Sequence, residues 1–171
     1  PMSWDADGGR TRILTFAHGD GPGSRWAIGL REGDTCQFFG PRRSLDLSGL
    51  AAPVVLFGDE TSFGLAAALR DAPQGADAIH VFEGSDVAEL RPVLEAIGLG
   101  QATLIERTSG ETHLAAVEAE ALRLAASGAH FILTGKASSI QRVGRALKAA
   151  GVVSSRIKAK AYWAQGRTGL D

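Results

Sequence analysis

The stretch Pro53-Val54-Val55-Leu56-Phe57-Gly58-Asp59-Glu60-Thr61-Ser62 decides the fold. A short apolar run closed by a glycine and an acid–hydroxyl turn reads as a strand buried on both faces that feeds a helix. A half-buried strand would alternate instead. The same rhythm repeats downstream. Glu60–Asp71 reads as a helix ended by Pro73, and Ala78–Phe82 as a second strand. A helix follows within Asp86–Ile97, with Asp86 and Glu89 spaced as a capping box and Pro92 inside it. Ala102–Ile105 is a third strand, and Glu111–Ala126 a helix with Ser109 as its N-cap and Gly128 as its stop. His130–Leu133, a helix over Ser138–Ala150 stopped by Gly151, and a strand over Arg156–Tyr162 complete the series. Strands alternating with helices in this way predict an α/β protein: a five-stranded, doubly wound parallel sheet with right-handed crossovers. Ligands are expected at the carboxyl ends of its strands.

Upstream of Pro53 the pieces are short and β-like. Thr11–His18 is expected as a strand, Ser24–Leu30 as a short helix after a glycine-rich turn, and Thr35–Phe39 as a strand carrying Cys36 as a small buried thiol. This half reads as the C-terminal part of an antiparallel barrel, giving a division into residues 1–50 and 51–171. The opening Pro1-Met2-Ser3-Trp4 reads as the interior of a longer sequence.

Composition narrows the function classes. The 171 residues are 44% hydrophobic and 22% charged, with a formal net charge of -1, so no overall field favours nucleic acid or an anionic membrane. No apolar run reaches the roughly 20 residues of a membrane-spanning helix, and no signal-peptide pattern opens the chain, so a cytoplasmic protein without membrane insertion is expected. The one cysteine excludes an internal disulfide and a multi-cysteine metal site. His18, His80, His113 and His130 lack metal-ligand spacing, and no serine sits in a nucleophile elbow. No side chain is singled out as catalytic and no metal site is expected. By elimination, chemistry would run through a bound cofactor.

Four segments could hold one. In Gly19-Asp20-Gly21-Pro22-Gly23-Ser24 the glycines let backbone approach a ligand, and the following helix offers free N–H groups to a phosphate. In Gly58-Asp59-Glu60-Thr61-Ser62, Asp59 is either an N-cap with Glu60 beside the helix dipole, or the turn contacts a nucleotide through its amides and hydroxyls. Thr134-Gly135-Lys136 occupies the equivalent position after the fourth strand, where Lys136 either meets a phosphate or ribose or is simply solvated. Near the C-terminus, Tyr162 and Trp163 could stack on a flat ring, and Lys158 and Lys160 share one strand face as a small cationic patch or a solvated edge. For a 2′-phosphate, Lys136 and Arg142 are the candidates; Glu83 would suit a ribose hydroxyl.

In register, these segments resemble the siderophore-interacting protein family of the ferredoxin-reductase superfamily. The family run H-G-x-G-P-x-S-R-W-A is met by His18-Gly19-Asp20-Gly21-Pro22-Gly23-Ser24-Arg25-Trp26-Ala27. G-P-R-x-S is met by Gly40-Pro41-Arg42-Arg43-Ser44, G-D-E-T by Gly58–Thr61, and Y-W-x-x-G by Tyr162–Gly166. The resemblance implies a partial FAD-binding barrel (1–50) and a ferredoxin-reductase-like NAD(P)H-binding domain (51–171). It places FAD near His18, Gly21, Gly23, Ser24 and Trp163, and NADPH or NADH near Gly58, Asp59, Glu60, Thr61, Gly135 and Lys136. Lys158, Lys160 and Tyr162 would then face the substrate, a ferric siderophore. The implied activity is an NAD(P)H-dependent, flavin-containing ferric-siderophore reductase that releases iron as Fe(II). The chain departs from the family pattern at Lys136, where an acidic residue is usual, and at Ala164, where many members carry arginine. The family's R-x-Y-T/S flavin motif is expected immediately before Pro1. Competing readings are a flavin reductase with another electron acceptor, and a non-catalytic Rossmann-like module that binds a nucleotide or a protein.

Overall fold

The computed structural model describes residues 1–37 and 45–167. Two short strands, β1 (Ser3–Asp5) and β2 (Arg10–Arg12), pair antiparallel, and α1 (Pro22–Gly29) follows a loop. The α/β body then runs β3 (Val54–Gly58), α2 (Phe63–Arg70), β4 (Ile79–Gly84), α3 (Val87–Ala96), β5 (Thr103–Glu106), α4 (Leu114–Ala125), β6 (His130–Lys136), α5 (Ala137–Ala149) and β7 (Ile157–Trp163). The sheet order is β5-β4-β3-β6-β7, with every neighbouring pair parallel.

All five residues of β3 are buried, as an apolar run at the centre of a two-faced sheet requires. On one face Val55, Phe57, Phe131 and Leu133 pack against Leu114, Val117 and Leu124 of α4 and Ile140, Val143 and Leu147 of α5. On the other, Val54, Leu56, Phe82 and Ile132 pack against Phe63 and Leu69 of α2 and Leu90 and Leu94 of α3. Each such side chain contributes about 1.5–3 kcal/mol on leaving water. Leu14, Leu45, Leu47 and Leu50 from the N-terminal segment lean on this second cluster.

Several local expectations change. The strand predicted over Thr11–His18 shrinks to Arg10–Arg12, because beyond Arg12 no partner strand receives its amides and Leu14 turns to the core instead. Thr35–Gln37 form no strand, and Cys36 is exposed rather than buried. Phe38 and Phe39, and the Gly40–Ser44 motif, lie outside the described residues. Among the described residues of the first fifty, the regular elements are a two-stranded antiparallel sheet and one helix. α3 begins at Val87 and runs through Pro92, with the Asp86 carboxylate accepting from Glu89 N at 3.0 Å. α4 begins later than predicted, at Leu114. Gly110 (φ 72°) and Glu111 (φ 58°) both adopt left-handed backbone, which no α-helix can include, and Ser109 caps nothing.

Candidate functional site

The strand order reverses at β3, so the crevice outside the carboxyl ends of β3 and β6 is where a doubly wound sheet takes its ligand. Asp59 fills that point. Its Oδ1 accepts from Thr61 N at 3.0 Å and from the Thr61 hydroxyl at 2.5 Å. Its Oδ2 accepts from Lys136 N at 2.9 Å and from Trp163 Nε1 at 2.7 Å. One carboxylate thus ties together the ends of β3, β6 and β7, with none of the residue exposed to solvent. Burial pushes its pKa up; the bonds from Thr61 and Trp163 oppose that rise.

The local sequence accommodates this approach. Gly135 has φ 102°, and a Cβ there would stand 2.6 Å from the Asp59 carboxyl carbon. A bulge at Gly135/Lys136 then brings Trp163, not Tyr162, opposite Lys136. At Gly58 an added Cβ would meet Ser62 Oγ at 2.4 Å, and that hydroxyl accepts from Thr134 Oγ1 at 2.8 Å.

Glu60 extends the stitching to the other side of the sheet. Its Oε1 accepts from Ser85 N at 2.6 Å and the Ser85 hydroxyl at 2.9 Å, and its Oε2 pairs with Arg107 Nη2 at 2.9 Å. Burial raises its pKa, but the Ser85 amide and Arg107 outweigh burial and hold it below the usual range. Glu83, expected as a possible ribose contact, is instead buried at 1% exposure. It binds His113 Nε2 at 2.6 Å and the Ser139 hydroxyl at 2.7 Å, with Arg107 Nε 3.8 Å away. Thr108 N donates to His113 Nδ1 at 3.2 Å, which fixes the ring proton on Nε2, facing Glu83.

Lys136 Nζ pairs with Glu111 Oε1 at 2.6 Å, and the same oxygen accepts from the Ser138 hydroxyl at 2.7 Å. The Lys136 bond is the main reason the Glu111 pKa falls. The Arg107 guanidinium carbon and Lys136 Nζ each lie 5.8 Å from the Trp163 ring centroid, cation–π distances to one indole. Arg142, the other phosphate candidate, is engaged by Glu118 at 2.8 Å and the Glu111 carbonyl at 3.3 Å. Lys158 and Lys160 do share a face, registered against Ile132 and Thr134, and are half-buried; Tyr162 on that face is 38% exposed. Burial, then the Asp59 charge, pushes the Tyr162 phenol up.

Four amides at the carboxyl ends of β3, β4, β5 and β6 are taken by side chains of this chain: Thr61 and Lys136 by Asp59, Ser85 by Glu60, Thr108 by His113. Sequence reasoning missed Arg107, His113, Glu111 and Ser85 as parts of this site. The only available signal was that Ser85 and Arg107 each immediately follow a strand.

The N-terminal turn makes a separate, shallow cavity of about 500 Å³, lined among the described residues by ones from Thr15 to Trp26, including His18, Gly21, Gly23 and Ser24. Ser24 Oγ donates to the His18 carbonyl at 2.8 Å and accepts from His18 N at 3.0 Å, so this hydroxyl closes the turn. A Cβ at Gly21 or Gly23 would meet nothing within 4 Å, which leaves that backbone open to a ligand. No residue of 58–62 lines this cavity. The two halves meet elsewhere, where a Cβ on Gly64 would stand 3.4 Å from the Pro1 carbonyl. Among the described residues no cluster of histidine, cysteine and carboxylates could hold a metal ion, and no helix is long and apolar enough to cross a membrane.

Fold and site together define a doubly wound α/β domain with a carboxylate-laced switch point. The sequence model of the siderophore-interacting protein family matches residues 51–166, and the chain belongs to that family. No curated protein matches it by sequence. Solved structures with partial likeness include the ferredoxin reductase of carbazole 1,9a-dioxygenase in its FAD apo form: 16% identity, 74% of this chain, 35% of that chain, TM-score 0.48. Another is a ferredoxin-NADP+ reductase variant from Plasmodium falciparum in complex with 2'P-AMP: 12% identity, 64% and 51% coverage, TM-score 0.43. A third is the flavohem-like FAD/NAD-binding domain of nitric oxide dioxygenase from Vibrio cholerae O1 biovar El Tor: 14% identity, 76% and 56% coverage, TM-score 0.40. This chain spans between about a third and somewhat over half of those chains.

Proposed function

We propose that the chain is part of an NAD(P)H-dependent, FAD-containing ferric-siderophore reductase that works in the cytoplasm. Residues 1–50 would contribute to the flavin site and residues 51–171 form the NAD(P)H domain. Membership of the siderophore-interacting protein family carries this reading. The bound cofactors would supply the redox chemistry, a hydride from the nicotinamide to the flavin and single electrons onward to Fe(III). The chain's own part is binding and positioning. The open backbone at Gly21 and Gly23, at the N-terminal end of α1, suits the FAD diphosphate, with His18 and Ser24 shaping the turn.

At the switch point the fit differs. Gly58, Glu60, Thr61, Gly135 and Lys136 remain the proposed NAD(P)H residues, with Asp59 itself fully buried; the Thr61 and Lys136 amides are already bonded to it, which favours a flat ring at Trp163 over a diphosphate cradle at Gly58–Thr61. Lys158, Lys160 and Tyr162 would receive the anionic ferric siderophore. The engagement of those amides supports a second reading, a module that holds no nucleotide. Anaerobic mixing of the FAD-loaded protein with NADH or NADPH separates the two. The proposed function requires bleaching of the flavin band near about 450 nm and its return with a ferric siderophore. A protein that loads flavin but is never reduced contradicts it, and return only with another acceptor leaves a flavin reductase of different purpose.

A further inference from the structure

We propose that Asp59 is the positioning residue for Trp163, holding the indole where Arg107 and Lys136 flank it. Four donors converge on this one carboxylate from three strand ends, and the indole N–H makes the second shortest of those bonds. The bond spans 104 residues of sequence, so it fixes the end of β7 against the end of β3 independently of local chain geometry. The surrounding backbone is built for it. Gly135 takes a left-handed conformation that clears the carboxylate, and the bulge beside it moves the register by one residue so that Trp163 reaches Lys136. The cations are anchored in turn: Arg107 by Glu60, with Glu83 nearby, and Lys136 by Glu111. Neither cation pairs directly with Asp59, which leaves its carboxylate to the indole, the Lys136 amide and Thr61. Asp59 therefore acts on the site through the ring it orients, not as a ligand of its own, because none of its surface is open. The catalytic use of that ring rests on the reading proposed above; its placement does not.

The test uses the full chain and has two arms. In a ¹⁵N-labelled sample the Trp163 indole N–H, bonded to a buried carboxylate, should resonate downfield of that of Trp26 and exchange with deuterium at least about tenfold more slowly. Asp59→Asn makes the acceptor neutral, so that signal should move upfield and exchange faster. In the kinetic arm, Asp59→Asn and Trp163→Phe should each slow flavin reduction by about tenfold with little change in the KM for the nucleotide. The double variant should be no slower than either alone. Additive losses, or an indole signal that ignores Asp59→Asn, overturn the proposal. If Asp59→Asn does not fold, a wild-type Trp163 N–H that exchanges as fast as that of the exposed Trp26 overturns it equally. Absence of any flavin reduction in the wild type sinks the functional reading alone, and the indole arm still decides the role of Asp59.

Discussion

At Gly135 the side chain that is missing matters more than any that is present. With φ 102° and a Cβ position 2.6 Å from Asp59, Gly135→Ala combines a strained backbone with a collision against a buried carboxylate. We expect a loss of about 2–4 kcal/mol in urea unfolding, larger than for Gly128→Ala, where φ is also positive but nothing lies within 4 Å. His80 is the second residue with a definite consequence. Burial, then the nearby Arg70 charge, depresses its pKa from 6.5 to about 4, and its Nε2 is buried without a partner. The unfolded chain therefore binds a proton that the folded chain refuses. Stability is complete above pH 6.5 and declines as pH falls toward about 4. By pH 5 the decline is roughly 2 kcal/mol. His80→Phe, which keeps a ring against Phe82, should flatten this part of the stability–pH curve; an unchanged slope would place the acid sensitivity elsewhere.

Among the elements, the sheet's carboxyl edge is held by ion pairs that link strands far apart in sequence. Arg107→Met leaves Glu60 without its cation and Glu83 without its neighbour, in a region only 19% exposed at the arginine side chain. A loss of about 3–5 kcal/mol is expected, measured by chemical denaturation, and Glu60→Gln in the same background should recover part of it. The sequence predicted the order and type of all five sheet strands and four crossover helices, because apolar runs and the stops at Gly128 and Gly151 depend on local patterning. It misjudged the start of α4, where the left-handed pair Gly110–Glu111 and the bond from His113 N to the Thr108 hydroxyl set the boundary. It also overextended the strands before Pro53, since a strand there needs a partner that alternation alone does not supply. Asp59 as an N-cap was legible in Gly58-Asp59-Glu60-Thr61; its bond to Trp163 was not, because no local pattern encodes a contact across 104 residues.

For the molecule as a whole, the central claim is that the carboxyl edge of the parallel sheet, around β3, β6 and β7, receives a reduced pyridine nucleotide. The N-terminal turn forms a distinct pocket, so the proposed flavin and nucleotide sites can be examined independently. At the opposite edge, Arg70, His80 and Gln101 line a cavity of about 330 Å³ that serves as an internal control, since it is also large enough to admit a small ligand. The most direct measurement is a titration of the ¹⁵N-labelled chain with NADH, following backbone amides and the Trp163 indole. The account predicts shifts confined to residues 58–62, 85, 107, 134–139 and 163. Shifts centred on the His80 cavity, or none with nucleotide in large excess, would contradict it.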